Sequence, residues 1–222
     1  MSDTLNKILH CVEFGKINKS SPYPPDMKGL DGADELTAQA LSEGIEAEDI
    51  LKKALVPAME RVGVKFRDNK IFVPQVLMSA KAMNMAIRHL KPYFQSGQVK
   101  RKGTLIIGTV AGDLHDIGKN LVTMMVEGNG YEVIDLGTDV GADRYLQSLG
   151  EHPGSAIGIS ALLTTTMVNM EGIVREVKTT YPGTRVAVGG APVNDEFRRK
   201  IGADFYSPDP QGLVEYLNST VA

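Results

Sequence analysis

The chain has 222 residues, 42% of them hydrophobic and 23% charged, with a formal net charge of -3 and a sequence pI near 5.8. This length allows one large core or two modest ones, and we expect two. The small net charge gives no reason to expect nucleic acid or a membrane as a partner. The single cysteine, Cys11, excludes an internal disulfide, and we find no signal peptide or long apolar run near the N-terminus, so we expect a cytoplasmic protein.

The first part of the chain predicts four amphipathic helices, because apolar residues recur there at helical spacing. The predicted helices cover residues 3–17, 31–43, 47–65 and 74–93. Residues 18–29 are rich in proline and serine and predict an exposed loop. Pro57 is expected to kink the third helix. Four such helices are typical of a small bundle, which we assign to residues 1–92.

The rest of the chain predicts an α/β domain. Residues 93–102 have the polar and glycine-containing composition of a linker. Beyond it, apolar runs predict strands over 104–110, 132–136, 156–160, 185–188 and 203–206, and amphipathic segments predict helices over 118–129, 142–149, 165–180, 194–201 and 211–219. Strands that alternate with helices indicate a doubly wound, flavodoxin-like (Rossmann-like) five-stranded parallel sheet over 103–222, with strand order 2-1-3-4-5.

A candidate metal-binding histidine lies in the loop after the first strand. Asp113 precedes His115 by two residues, so its carboxylate is placed to accept a hydrogen bond from one ring nitrogen and to leave the other nitrogen for a metal. Gly118 allows a large group to approach the backbone. A plainer interpretation stays open: Asp113 or Asp116 caps the helix near Ile117, and His115 is an ordinary loop residue.

Two further loops are expected at the same edge of the sheet. Ser160, Leu162 and Thr164 follow the third strand, and Gly189 and Gly190 follow the fourth. In the order 2-1-3-4-5, these loops face the crevice that contains His115, which favours a ligand pocket. Helix capping by the hydroxyl groups of 160–166, and a simple tight turn at the paired glycines, remain as alternatives.

The segment Asp113-Leu114-His115-Asp116-Ile117-Gly118-Lys119-Asn120 resembles the Asp-x-His-x-x-Gly signature of cobalamin-binding domains, in the branch of methionine synthase and methyltransferase corrinoid proteins. Residues 44–83 resemble the four-helix cap domain of the same proteins. The resemblance implies that His115 is the lower axial ligand of cobalt and that the cap shields the upper face of the corrin. It also implies that Asp113 and Ser160 tune His115 through hydrogen bonding. Ser160, Leu162, Gly189 and Gly190 would contact the nucleotide tail of the cofactor, which leaves cobalt so that His115 can take its place. Asp116, Gly118 and Thr164 complete the expected set of cofactor-binding residues.

The same resemblance implies a methyl-carrier subunit that is not catalytic alone. Such a protein holds cobalamin, with methylcobalamin as the loaded form, and accepts a methyl group from a donor-specific methyltransferase. It passes the group to a second methyltransferase that serves a tetrahydrofolate or thiol acceptor, and a reductive activase restores the cobalt. The alternative function is a cobalamin-dependent sensor, although the chain lacks the basic DNA-binding helices that such regulators normally add. A mutase subunit and a flavodoxin-like domain without corrinoid are weaker alternatives.

Overall fold

A computed structural model describes residues 2–220 and divides the chain into two compact units. The first contains the chain up to Arg101 together with Gly128–Gly130, and the second contains Lys102–Glu127 and the chain from Tyr131 onwards. Within the described residues, no helix is both long and apolar enough to cross a membrane.

The first unit is helical. Its helices are α1 (Asp3–Phe14), α2 (Ala33–Ser42), α3 (Ala47–Ile50), α4 (Val56–Arg67) and α5 (Val73–Gln95), with a short 3-10 turn at Pro25–Met27. The side chain of Ser2 caps α1 by accepting the Leu5 N–H. Gly15 ends α1 in a left-handed conformation (φ 75°), which is earlier than the predicted end near residue 17. The helices bury apolar residues that include Ile8, Ile50, Leu55, Met59, Met83 and Leu90.

The third predicted helix is continuous but irregular. A π-helical turn, Leu51–Leu55, joins α3 to α4 and lies directly before Pro57. Proline has no N–H to donate to the preceding turn, and the helix accommodates Pro57 with this widened turn. The irregularity that the sequence predicts at Pro57 is therefore a π-helical turn. Pro74 lies in the first turn of α5, as the sequence predicts.

The second unit contains a five-stranded parallel sheet in the predicted order β2-β1-β3-β4-β5. Its strands are β1 (Thr104–Thr109), β2 (Glu132–Asp135), β3 (Ala156–Ser160), β4 (Val186–Gly189) and β5 (Phe205–Tyr206). Its helices are α6 (Ile117–Gly128), α7 (Ala142–Glu151), α8 (Thr164–Met167), α9 (Met170–Thr180), α10 (Asp195–Ile201) and α11 (Pro210–Thr220). The buried runs of β1, β3 and β4 form much of the core, as expected for a sheet covered on both faces.

The prediction of one helix over 165–180 is wrong. The segment forms α8 and α9, which are separated at residues 168–169. Thr166 turns its hydroxyl group away from solvent and towards Asp113, at an Oγ1–Oδ2 distance of 2.7 Å. The apolar spacing that predicted a single helix carried no information about this polar contact.

The strand register brings the predicted loops together. Thr109 at the end of β1 pairs with Ser160 at the end of β3, and Ser160 pairs with Gly189 at the end of β4. The three loops that follow therefore leave the sheet side by side, at its carboxyl edge. This is the edge at which open α/β sheets bind their ligands.

Candidate functional site

The loop between β1 and α6 begins with a tight turn. The N–H of Asp113 donates to the carbonyl oxygen of Val110 at 3.1 Å, and Gly112 adopts φ 83°. A positive φ at the third position of a β-turn is required by type II geometry and favours glycine. The turn directs the next residue, Asp113, into the protein, where its side chain is fully buried.

The Asp113 carboxylate accepts hydrogen bonds on both oxygens. Oδ1 accepts from the backbone N–H and the Nδ1 of His115, at 3.0 and 2.7 Å. Oδ2 accepts from the N–H of Leu162 and of Leu163 and from the Thr166 hydroxyl, at 2.9, 3.3 and 2.7 Å. Burial alone would raise the pKa of Asp113, but these hydrogen bonds outweigh it and hold the pKa well below its usual range.

The ionised carboxylate determines how the imidazole of His115 is protonated. A carboxylate can only accept hydrogen bonds, so the Nδ1 of His115 must carry the proton that it shares with Asp113. In the neutral ring, Nε2 then has a free lone pair. The His115 side chain is 51% exposed, and no hydrogen bond to its Nε2 is found among residues 2–220. The ring is thus oriented by a buried carboxylate and offers one nitrogen to a metal.

The backbone of His115 is also held. The hydroxyl group of Thr109 donates to the His115 carbonyl oxygen at 2.9 Å. Asp116, the next residue, opens α6: its carbonyl oxygen accepts the Asn120 N–H at 2.7 Å. Its carboxylate accepts from the Asn120 side chain at 3.0 Å. Among residues 2–220, no hydrogen bond from a backbone N–H to this carboxylate is found, so a side-chain cap by Asp116 is not observed there.

The site residues predicted at and after the end of β3 differ in how they contact Asp113 and His115. Leu162 donates its backbone N–H to Asp113, and the residue is 45% exposed. Thr164 begins α8 on an exposed surface, and Leu163 occupies the cap position without a side-chain hydrogen bond, so capping by a hydroxyl group is wrong for this helix. The described residues show no hydrogen bond between Ser160 and His115.

The three predicted glycines, Gly118, Gly189 and Gly190, differ in the space beside their backbone. A Cβ at Gly118 would meet no atom within 4 Å, and one at Gly189 would meet only the Ser207 carbonyl oxygen at 3.9 Å. Both positions have free space beside the backbone. Gly190 has φ 126°, and a Cβ there would lie 1.8 Å from the carbonyl oxygen of Ala161. Glycine at position 190 is therefore required by the protein's own packing.

Apolar side chains are unusually exposed around His115. Leu114 and Ile117, which flank it, are 73% and 76% exposed. Three further exposed residues belong to the segment that supplies donors to Asp113, namely Leu162, Leu163 and Val168. A cluster of exposed apolar side chains beside an oriented imidazole fits a large, largely apolar ligand.

Sequence reasoning missed part of the site. Thr166, and not Thr164, donates to Asp113, together with the N–H of Leu163. Asp139 accepts the Gly112 N–H at 2.7 Å and had no role in the sequence interpretation. The three threonines at 164–166 indicated that a hydroxyl group could donate a hydrogen bond in the site, but not which one. Nothing in the sequence indicated Asp139, because its contact with Gly112 depends on the path of a loop that is distant in the chain.

The geometry defines a kind of site: a half-exposed histidine, oriented by a fully buried carboxylate, with exposed apolar side chains and open backbone beside it at the carboxyl edge of a parallel sheet. Comparison with protein families agrees. Residues 103–212 match a B12 binding domain, and residues 30–91 match a second family model that is also described as a B12 binding domain.

Similar proteins identify the family. The trimethylamine corrinoid protein of Methanosarcina barkeri is 39% identical over 193 residues, which cover 85% of this chain and 89% of that protein. Monomethylamine corrinoid protein 2 of Methanosarcina acetivorans is 40% identical over 184 residues, or 80% of this chain and 84% of that protein. The chain belongs to the corrinoid protein family, whose members bind a cobalamin-type cofactor and act with methyltransferases.

Solved structures agree with this assignment. A chain of the methanol:cobalamin methyltransferase complex of Methanosarcina barkeri aligns with a TM-score of 0.82 and 28% identity, over 99% of this chain and 80% of that one. A cobalamin-binding protein from Desulfitobacterium hafniense aligns with a TM-score of 0.76 and 26% identity, over 98% of both chains.

Proposed function

We propose that this chain carries a methyl group on the cobalt of a bound corrinoid, receiving it from a donor-specific methyltransferase and delivering it to a second methyltransferase. Cobalamin supplies the methyl-carrying centre, and the protein supplies the axial ligand, the orientation and the electrostatic environment. The observation that carries the proposal is the hydrogen bond of 2.7 Å between the buried Asp113 carboxylate and the Nδ1 of His115.

His115 is proposed as the lower axial ligand of cobalt. Its Nε2 has a lone pair in the tautomer that Asp113 enforces, and its ring is half exposed at the carboxyl edge of the sheet. A carboxylate behind a ligating imidazole increases the basicity of the ring and fixes its orientation. Asp113 also binds the segment after β3, so the same carboxylate sets the position of two loops around the ligand.

The other predicted residues are proposed to line the cofactor pocket. Gly118 and Gly189 leave free space beside the backbone, which supports close approach of a ligand at both positions. Ser160 and Gly189 end β3 and β4, and Leu162 and Gly190 follow them at the same edge. We propose that these four residues contact the nucleotide tail of the cofactor. Asp116 and Thr164 are exposed near them, at the starts of α6 and α8, and complete the proposed set.

We propose a helical cap domain over 1–92, a linker over 93–102 and a cofactor domain over 103–222. The match of 30–91 and of 103–212 to two B12 binding domain models supports this division. The cytoplasmic location remains a prediction from the sequence.

The partners follow from the similar proteins. Their names include trimethylamine, dimethylamine and monomethylamine corrinoid proteins, and one solved relative comes from a methanol:cobalamin methyltransferase complex. We therefore propose a methylated amine or methanol as the methyl donor. A methyltransferase with a thiol or tetrahydrofolate acceptor and a reductive activase complete the proposed system.

The experiment is a reconstituted transfer assay with deuterium-labelled methyl donors. Each of the three methylamines and methanol is supplied with a methyltransferase that acts on it, and labelled methyl thiol is measured after addition of this chain, cobalamin, a reductant and a thiol methyltransferase. We expect labelled product with at least one donor, and only when the chain and cobalamin are both present.

Two histidine variants make the assay specific. His115→Ala removes the proposed cobalt ligand, whereas His152→Ala removes a histidine at the end of α7, before β3 and thus at the amino edge of the sheet. We expect His115→Ala to lose transfer and His152→Ala to retain it. Stoichiometric cobalamin binding without chain-dependent transfer from any donor would contradict the carrier function and favour a sensor.

A further inference from the structure

The 135–140 loop starts at the last residue of β2 and leads towards α7, and a buried cation anchors its start. The Lys119 side chain is 2% exposed and its ammonium group pairs with the Asp135 carboxylate. The other oxygen of Asp135 accepts the Gly137 N–H at 2.9 Å. Removal of a charge from water is costly unless it is paired, so this contact specifies the path of the loop.

The same loop runs beside the end of β1. The Thr109 N–H donates to the Gly137 carbonyl oxygen, and the Val140 N–H donates to the Thr109 carbonyl oxygen, both at 2.9 Å. The Thr109 side chain in turn donates to the carbonyl oxygen of His115. The 135–140 loop therefore fixes Thr109, and Thr109 holds the backbone of His115.

Asp139 makes the contact nearest to the histidine. Its carboxylate accepts the Gly112 N–H at 2.7 Å, and its own N–H donates to the carbonyl oxygen of Asp113 at 3.1 Å. Asp139 has φ 57°, a left-handed conformation that few residue types other than glycine, asparagine and aspartate adopt readily. The carboxylate and the backbone N–H of Asp139 thus bind Gly112 and Asp113, the last two residues of the turn that precedes His115.

We propose that Asp139 is a positioning residue for His115: its carboxylate fixes the Gly112–Asp113 turn, so that Asp113 can bind His115 and the β3–α8 segment at once. Because glycine has no side chain, the backbone of Gly112 is free to adopt many conformations. The hydrogen bond from its N–H to the Asp139 carboxylate limits that freedom. The inference rests on the proposed role of His115 as the cobalt ligand.

Three variants separate the acceptor oxygen from the backbone conformation. Asp139→Asn keeps an acceptor oxygen and tolerates a left-handed φ. Asp139→Gly keeps the conformation and removes the acceptor. Asn69→Gly is the matched control, because Asn69 is the other non-glycine residue with positive φ among residues 2–220 and lies in the turn between α4 and α5.

The first readouts use the protein without cofactor. Hydrogen exchange of the Gly112 amide and the ¹⁵N chemical shifts of the His115 ring report the turn and the tautomer directly. We expect Asp139→Gly to accelerate Gly112 exchange and to reduce the Nδ1-protonated fraction of His115. Asp139→Asn and Asn69→Gly should match the unmodified chain in both measurements.

The second readout is reconstitution with methylcobalamin. We expect Asp139→Gly to bind about 10-fold more weakly, with a smaller histidine-ligated fraction in the absorption spectrum, and Asp139→Asn to restore both. Unchanged behaviour of Asp139→Gly would overturn the proposal, as would an equal loss in Asn69→Gly, which would indicate a general loss of stability. Failure of the unmodified chain to bind methylcobalamin would instead contradict the proposed function, while the exchange and ¹⁵N measurements would still test the position of the turn.

Discussion

Replacement of Asp113 by Asn tests how the site controls the protonation of His115. The carboxylate accepts five hydrogen bonds from donors and offers none. An amide of the same shape has one acceptor oxygen and one NH₂ group, so it cannot accept on both sides. One of the two sets of contacts, to His115 or to the β3–α8 segment, must therefore be lost or reversed in Asp113→Asn.

The larger set decides the orientation of the amide. The oxygen that faces Leu162, Leu163 and Thr166 accepts three hydrogen bonds, and the oxygen that faces His115 accepts two. The amide oxygen is expected on the side of the three donors, which turns the NH₂ group towards the imidazole. The ring then becomes an acceptor at Nδ1, and its proton moves to Nε2, where it blocks metal binding.

The magnitude follows from the same contacts. The part-buried His115 backbone N–H loses a charged acceptor, which costs about 1.5–3 kcal/mol of unfolding free energy. Loss of a carboxylate that orients a metal-binding histidine typically costs about 10- to 100-fold in metal affinity or activity. We expect methylcobalamin binding to fall within that range in Asp113→Asn, with a clear loss of the histidine-ligated spectrum.

The assay combines ¹⁵N spectroscopy of the His115 ring in the protein without cofactor with a methylcobalamin titration. Thr166→Val is the matched control, because it removes one donor to Asp113 and leaves the contact with His115 in place. If Asp113→Asn keeps the proton on Nδ1 and binds methylcobalamin as tightly as the unmodified chain, the reasoning is refuted.

Three other predictions concern stability and access. Thr166→Val should lower the free energy of unfolding by about 1.5–3 kcal/mol by chemical denaturation, because it removes a hydrogen bond to a buried charge, and an unchanged value would argue against that contact. Gly190→Ala should lower the free energy of unfolding by about 2–5 kcal/mol, because its Cβ would overlap the Ala161 carbonyl oxygen at positive φ. Gly118→Ala should keep the stability of the unmodified chain and bind cobalamin more weakly, because the space beside Gly118 is open. Equal effects of the two substitutions on calorimetric stability and on cobalamin titration would contradict this distinction. The pKa of Asp113 is lower in the folded chain than its unfolded value of about 3.9, so its stabilising contribution should be complete above about pH 5 and decrease as the pH falls below about 4. The difference in unfolding free energy between the unmodified chain and Asp113→Asn should therefore narrow on acidification, and a constant difference would contradict the assignment.

Much of the fold could be predicted because it depends on local apolar patterns. β3 has the predicted bounds, 156–160, and the strand order agrees, since alternating strands and helices leave few topologies. The hydrogen bond between Asp113 and His115 could be predicted for a similar reason: two residues of separation in one loop bring the side chains within reach.

Contacts between distant loops were less accessible to sequence reasoning. Thr166 lies in α8, a short helix separate from α9, and apolar spacing records neither this break nor the contact of the hydroxyl group with Asp113. Gly190 suggested a ligand pocket, but its immediate constraint is the Ala161 carbonyl oxygen. Asp139 joins the site through the path of the 135–140 loop, which is set in part by the buried Lys119.

The central claim is that His115 ligates the cobalt of a bound corrinoid. The most direct measurement is the ultraviolet-visible spectrum of the purified chain after reconstitution with methylcobalamin, compared between the unmodified protein, His115→Ala and His152→Ala. We predict stoichiometric binding with a histidine-ligated spectrum in the unmodified chain and in His152→Ala, and a base-off spectrum in His115→Ala. Identical spectra in all three proteins, or no binding by the unmodified chain, would contradict the claim.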